Sequence, residues 1–123
     1  MVDLRGQYER IQEEVDAAIA GVIQRADFIN GEDVRAFGDE LAAYNGSRFA
    51  IPCANGTDAL QIAMMGLGLK AGDEVITADF TFAATVEVIA LLGLTPVLVD
   101  VEPNTFNIDV EAIKKAITPK TKA

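Results

Sequence analysis

Apolar positions along this chain follow two rhythms, and the change between them near residue 47 organises the reading. From Gln7 to Ala26, Ile11, Val15, Ala18, Ile19, Val22 and Ile23 return to one face, which predicts an amphipathic helix. Val34, Phe37, Leu41 and Tyr44 mark a second helix, stopped near Asn45-Gly46 by residues that tolerate positive φ. Phe28-Ile29-Asn30-Gly31 reads as the loop between them. Beyond this point short apolar runs alternate with helical patterns. Arg48 to Cys53 reads as strand, Thr57 to Leu69 as helix, Glu74 to Ala78 as strand and Phe82 to Leu92 as helix. Pro96 to Val101 follows as strand, and Asp109 to Ile117 as a helix that Asn107 or Asp109 caps. Turns fall at Lys70-Ala71-Gly72-Asp73, Gly93 and Glu102-Pro103-Asn104. Strands alternating with helices imply βαβ units and parallel pairing, so the fold class is α/β. Pro52 offers no backbone donor and suits a strand end or a sheet edge.

Composition narrows the chemistry. The 123 residues suffice for one domain with a real core, and half are hydrophobic. Nineteen acidic residues against ten basic ones give a formal charge of −9. That balance argues against nucleic acid or an anionic membrane as partner, because phosphate backbones require clustered lysine and arginine. The absence of histidine excludes Ser-His-Asp and Cys-His catalysis within the chain. Cys53, the single cysteine, excludes an internal disulfide, fits a reducing cytoplasm, and is expected to be a buried small hydrophobe. Charges at Arg5, Glu9, Arg10, Glu13 and Glu14 interrupt any secretory pattern. The apolar region from Phe82 to Val99 contains Glu87, Gly93 and Pro96, which fit helix, turn and strand better than a membrane span. A soluble, cytoplasmic protein is expected, with no metal site in the spacing of its acids.

Asn55-Gly56-Thr57-Asp58-Ala59-Leu60 lies between an expected strand and an expected helix. A small-residue turn there leaves backbone N–H groups free at the positive end of the helix dipole. With the Thr57 hydroxyl they suit a dianionic phosphate. The same residues also read as a plain helix N-terminus, where small and hydroxylated side chains recur to satisfy orphan N–H groups. Glu87 reads as an exposed helix position. Asp100 and Glu102 end a strand where α/β ligands collect, yet equally cap the following turn. Lys114, Lys115, Lys120 and Lys122 occupy a charged helix and an exposed tail, so none suits a desolvated Schiff-base role. Gly66-Leu67-Gly68 follows a helix and lacks a third glycine, which excludes a dinucleotide fingerprint.

Further blocks follow that turn in order: Asp73-Glu74-Val75-Ile76-Thr77, Phe80-Thr81-Phe82-Ala83-Ala84-Thr85 and Leu91-Leu92-Gly93-Leu94-Thr95-Pro96-Val97. Together they resemble the amino-terminal part of the sugar aminotransferases of the DegT/DnrJ/EryC1/StrS family, which use pyridoxal 5'-phosphate (PLP). The likeness runs from Val2-Asp3-Leu4 to Ile117-Thr118-Pro119-Lys120-Thr121-Lys122-Ala123. The block from Cys53 to Ile62 looks most like members that aminate a UDP-linked 3-oxo-glucuronic acid derivative. Ala78-Asp79 departs from the family, where a proline and a small residue commonly precede Phe-Thr-Phe. Asp79 reads first as a helix or turn cap, and second as a charge biasing the sugar pocket.

The resemblance implies the first part of a fold-type-I large domain over residues 48–123, preceded by a helical segment over residues 1–47. It implies that Gly56 and Thr57, with the backbone N–H of Asp58, hold the cofactor phosphate, while the Asp58 carboxylate turns elsewhere. It implies that Phe82 stacks on the pyridine ring, whereas burial habit alone reads Phe82 as core; Phe80 is assigned to the core. The Schiff-base lysine is expected downstream, so no catalytic residue is assigned within the chain. Transamination of a nucleotide-linked keto sugar is implied, with glutamate as donor and a homodimer as the assembly, for amino-sugar or cell-surface polysaccharide synthesis. A PLP-dependent sugar dehydratase on the same fold and a non-catalytic ligand-binding fragment are the alternatives. In the implied large domain, later strands lie between the strand before the phosphate turn and the next two. Apolar faces and strand edges are therefore expected to be uncovered here.

Overall fold

The computed structural model describes residues 2–123, and the chain divides into two compact units, one ending at Pro52 and one spanning Cys53–Ala123. The first unit holds helices α1 (Leu4–Arg25) and α2 (Glu32–Asn45). Asp3 caps α1 by accepting the Gly6 amide at 2.9 Å, which starts the helix three residues before the apolar periodicity begins. Ala26 closes α1 in the left-handed conformation, φ 52°. Gly31 precedes α2 where a Cβ would meet the Asp27 carboxylate at 2.5 Å, and that carboxylate accepts the Glu32 amide. Gly46 ends α2 with φ 64°. No residue of α1 is buried, so its stripe of Ile11, Ile19 and Ile23 lies open. In α2, Gly38 and Ala42 are buried, and a Cβ on Gly38 would press on Pro52 and the Ala50 carbonyl.

The second unit contains α3 (Gly56–Gly66), β1 (Glu74–Ala78), α4 (Ala84–Leu91), β2 (Thr95–Val99) and α5 (Val110–Ala116). β1 and β2 pair in parallel from Glu74↔Thr95 to Ala78↔Val99. The chain end returns to the other side of β1. Glu74 donates its amide to the Lys120 carbonyl, Lys122 donates to the Glu74 carbonyl, and Ile76 donates to the Ala123 carbonyl, each at 2.9 Å. Thus β1 lies between β2 and the segment 120–123, which meets it at a single parallel bridge, Glu74↔Thr121. On one face Val75 packs with Met64, Val88, Ile89 and Leu94, with Leu69 and Leu92 at the edge. Ile76, one residue on, borders a cleft of about 420 Å³ with Ile113 of α5 and Ile117 just after it. Adjacent strand residues point to opposite faces, so α4 and α5 cover opposite sides of the sheet. That is how an α/β doubly wound sheet begins.

Several expectations change against this architecture. Residues 48–53 make no backbone hydrogen bond to a strand, since no described segment supplies a ladder beside them and Pro52 has no donor. Cys53 is consequently exposed instead of buried, and its thiol donates to the Asn55 carbonyl at 3.3 Å. In the tail read as exposed, the side chains of Lys120 and Lys122 are exposed, while the backbone of residues 120–123 is hydrogen-bonded to β1. α4 begins at Ala84, so Phe82 lies in the loop before the helix and not on it. Phe80 is 67% exposed and is no core residue. Uncovered apolar surface is real: Leu60, Leu67, Ile62 and Leu98 are exposed, and an apolar cleft of about 180 Å³ opens between α3, β1 and α4. Among the described residues, no helix is long and apolar enough to cross a membrane.

Candidate cofactor site

The turn before α3 is set by Asn55. Its Oδ1 accepts the Asp58 amide at 2.9 Å, and its Nδ2 donates to Asp58 Oδ2 at 3.1 Å. Reciprocal bonds between the cap and the third helical residue satisfy one orphan donor and fix the first turn. The Asp58 amide is therefore engaged inside the protein, unlike its expected use toward a phosphate. Its carboxylate is turned back onto Asn55.

Two donors of the same turn remain. The amides of Gly56 and Thr57 make no hydrogen bond among the described residues, and neither does the Thr57 hydroxyl. A Cβ placed on Gly56 would meet nothing within 4 Å. Open space, two aimed amides, one hydroxyl and a helix dipole form a fit for a phosphate dianion. Bare apolar contact could not supply this.

Phe82 is 80% exposed, which the core reading of this ring does not survive. Its carbonyl accepts the Thr85 amide at 3.0 Å in the turn that opens α4. The neighbouring Phe80 meets Phe106 instead, with ring centroids 5.4 Å apart and planes at 36°. α3, which the Gly56 turn opens, packs on α4, which the Phe82 loop leads into.

The remaining candidates sort simply. Asp79 donates its amide to the Val99 carbonyl, prolonging the β1–β2 ladder, and its side chain caps neither the turn nor α4. Glu87 is exposed in the first turn of α4. Asp100 accepts the Val101 amide at 2.7 Å, and Glu102 closes the next turn by accepting from Thr105 and Phe106. Asp109, not Asn107, caps α5 through the amides of Glu111 and Ala112. Lys114 pairs with Glu111, and Lys122 Nζ donates to the Pro119 carbonyl. No cluster of potential metal ligands occurs among the described residues. A separate cleft of about 460 Å³ in the first unit, lined by Val34, Arg35, Gly38, Asp39 and Pro52, carries none of these candidates.

Comparison with known proteins spans the same stretch of chain. The sequence profile of the DegT/DnrJ/EryC1/StrS aminotransferase family matches residues 9–123. The UDP-2-acetamido-2-deoxy-3-oxo-D-glucuronate aminotransferase of Pseudomonas aeruginosa is 49% identical over 122 residues, covering 99% of this chain and 34% of that protein. Streptomyces venezuelae DesV, solved in complex with a ketimine intermediate, superposes with a TM-score of 0.92 at 38% identity, covering 98% of this chain and 32% of DesV. NtdA of Bacillus subtilis, solved with bound cofactor PMP, gives a TM-score of 0.85 at 37% identity over 89% of this chain and 25% of NtdA. The chain thus spans about a third of the length of the curated relatives it matches.

Proposed function

The chain belongs to the DegT/DnrJ/EryC1/StrS aminotransferase family, and on that premise we propose that it forms the phosphate-binding front of a PLP-dependent sugar aminotransferase. The protein containing it transfers an amino group to a nucleotide-linked keto sugar, a UDP-linked 3-oxo sugar acid, with glutamate as donor. The observation that carries the reading is the pair of unpartnered amides at Gly56 and Thr57, at the start of a helix that the family profile includes. The substrate class rests on the 49% identity to the Pseudomonas aeruginosa enzyme. Residues 1–47 form the leading helical segment and residues 48–123 the first part of the cofactor-binding large domain. The assembly is a cytoplasmic homodimer, and its product feeds amino-sugar or polysaccharide synthesis.

When bound, PLP supplies an electron sink that stabilises negative charge at the carbon losing its proton. The chain's own residues bind and orient. Gly56 and Thr57 donate two amides and a hydroxyl to the phosphate, and Gly56 lets the backbone approach the anion. Asn55 keeps the Asp58 carboxylate turned onto itself, which lowers repulsion against the dianion. Phe82 offers a flat apolar face that orients the pyridine ring and excludes water from one side. The lysine that holds the cofactor covalently lies outside this chain, since its five lysines, Lys70, Lys114, Lys115, Lys120 and Lys122, are all exposed.

Borohydride reduction of the full-length protein with PLP, followed by mass analysis, tests the reading. One phosphopyridoxyl adduct on a lysine outside residues 1–123 is expected, together with a glutamate-dependent loss of the PLP absorption band. An unmodified protein, or an adduct on one of the five exposed lysines of residues 1–123, overturns it.

A further inference from the structure

Three non-glycine residues adopt positive φ among the described residues: Ala26, Asn30 and Phe106. Ala26 ends a helix, and asparagine tolerates this region through its short polar side chain. Phe106, at φ 58°, has neither excuse. A bulky aromatic held left-handed is strained, and such strain persists only where its surroundings impose it.

The imposing structure is the loop after β2. Val101 bridges Ile108 in antiparallel fashion, Glu102 donates to the Asn107 carbonyl at 2.8 Å, and Phe106 donates to the Glu102 carbonyl at 2.9 Å. Thr105 Oγ1 accepts the Asn107 amide at 3.3 Å. Phe106 then rests against Phe80 in the loop after β1. Phe106 and Phe80 remain 61% and 67% exposed, so their contact does not serve core burial. It joins two loops at the carboxyl ends of parallel strands, where ligands of open α/β sheets bind. Phe80 is fixed on its amino side as well, since the Asp79 amide reaches the Val99 carbonyl. Phe82 follows two residues later, and its carbonyl is tied into the first turn of α4.

We infer that the Phe80–Phe106 contact is an aromatic clasp that sets the place of Phe82, making Phe106 a positioning residue for the planar ring that Phe82 receives. The inference rests on the assignment of Phe82 to the PLP ring. Phe106 pulls the post-β1 loop toward the post-β2 loop, and Phe82 has few remaining backbone freedoms between Phe80 and α4. Breaking the clasp loosens the ring-binding face while leaving the Gly56–Thr57 turn on α3 intact.

The test uses the full-length protein, with PLP and inorganic phosphate as separate probes. Phe106→Asn removes the ring while keeping a residue at ease in the left-handed region; Phe106→Leu keeps apolar bulk without aromaticity. These are compared with Phe80→Ala and with the double variant Phe80→Ala/Phe106→Asn. Phe106→Asn and Phe80→Ala are each expected to weaken PLP about threefold to tenfold and to diminish the visible circular dichroism of the bound cofactor. Phe106→Leu is expected to fall between these and the wild type. The double variant should be no worse than either single one, and phosphate binding should stay unchanged. PLP affinity and dichroism equal to wild type in the single variants overturn the inference, as do additive losses or an equal loss of phosphate binding. A wild-type protein that takes up no PLP overturns both the cofactor assignment and the clasp. PLP uptake sensitive to Phe82→Ala but indifferent to the clasp variants overturns the clasp alone.

Discussion

Asn55 and Asp58 hold each other through two bonds, the Asp58 amide to Asn55 Oδ1 and the Asn55 amide group to Asp58 Oδ2. The pair caps α3 and turns a carboxylate back from the space that the phosphate is proposed to fill. Asn55→Ala should therefore do two things. It removes a cap worth about 1 kcal/mol, and it frees the Asp58 carboxylate to turn toward the anion. A lowered melting temperature together with weaker PLP binding is expected. Asp58→Asn, which keeps the backbone donor and deletes the charge, should tighten PLP instead. Calorimetry and fluorescence titration of the two variants check the opposed signs.

Gly56 separates binding from stability even more cleanly. Its φ lies outside the left-handed region, and a Cβ there meets nothing within 4 Å. Gly56→Ala should stabilise the fold by about 0.5 kcal/mol, through reduced freedom of the unfolded chain. The same methyl would stand where the anion approaches, so PLP affinity should fall. Thr57→Val, which deletes a hydrogen bond to a charged group, should cost about tenfold in PLP affinity. Denaturant midpoints measured beside PLP titrations decide the matter.

For Phe82 the prediction turns on exposure. A ring 80% open to solvent contributes little to folding, so Phe82→Ala should leave the melting temperature nearly unchanged. If the ring stacks on the cofactor, PLP affinity should drop by about fivefold, matching roughly 1 kcal/mol of stacking. Ile89→Ala is the contrast. At 1% exposure it should cost about 2–5 kcal/mol of stability by leaving a cavity between α4 and β1.

Tyr8 gives a pH prediction in the first unit. Its hydroxyl donates to Asp16 Oδ1 at 2.7 Å. That hydrogen bond, then desolvation and the Asp16 charge, raise the phenol above its ordinary value. The neutral phenol is the form favoured by folding, so its contribution is present at neutral pH and lost as pH rises through the raised pKa. An ultraviolet titration of wild type against Tyr8→Phe should show the missing phenol as the late-ionising component.

Much of this architecture was readable from residue patterns because helices and β1 carry strong periodic signals. β1 begins and ends where its alternation does, and α2 stops at the glycine that the pattern marks. The departures at residues 48–53 and 120–123 share one cause, which is that strand pairing depends on a partner. Residues 48–53 look like a strand by composition, yet no described segment runs beside them. Lys120-Thr121-Lys122-Ala123 has no apolar alternation at all, but its backbone pairs with β1, and Glu74 accepts from the hydroxyls of Thr118 and Thr121. The candidate site was legible to the level of the turn and no further. Asn55 and Asp58, three residues apart, carry the spacing of a reciprocal cap. Periodicity could not separate Phe80 from Phe82 either, because both lie in an irregular loop where neither burial rhythm applies.

The central position of β1 also matters while the protein is being made. Its second neighbour arrives only with residues 120–123, and Thr118, which bonds Glu74, follows it by 44 residues. At synthesis rates of 5–20 residues per second, that interval lasts roughly 2–9 s. During it, one flank of β1 offers a row of unpaired amides and carbonyls to any other extended chain nearby. Crowded ribosomes translating the same message would bring identical flanks together. Residues 120–123 therefore cover that flank late, closing on β1 through backbone bonds and the Thr121 hydroxyl.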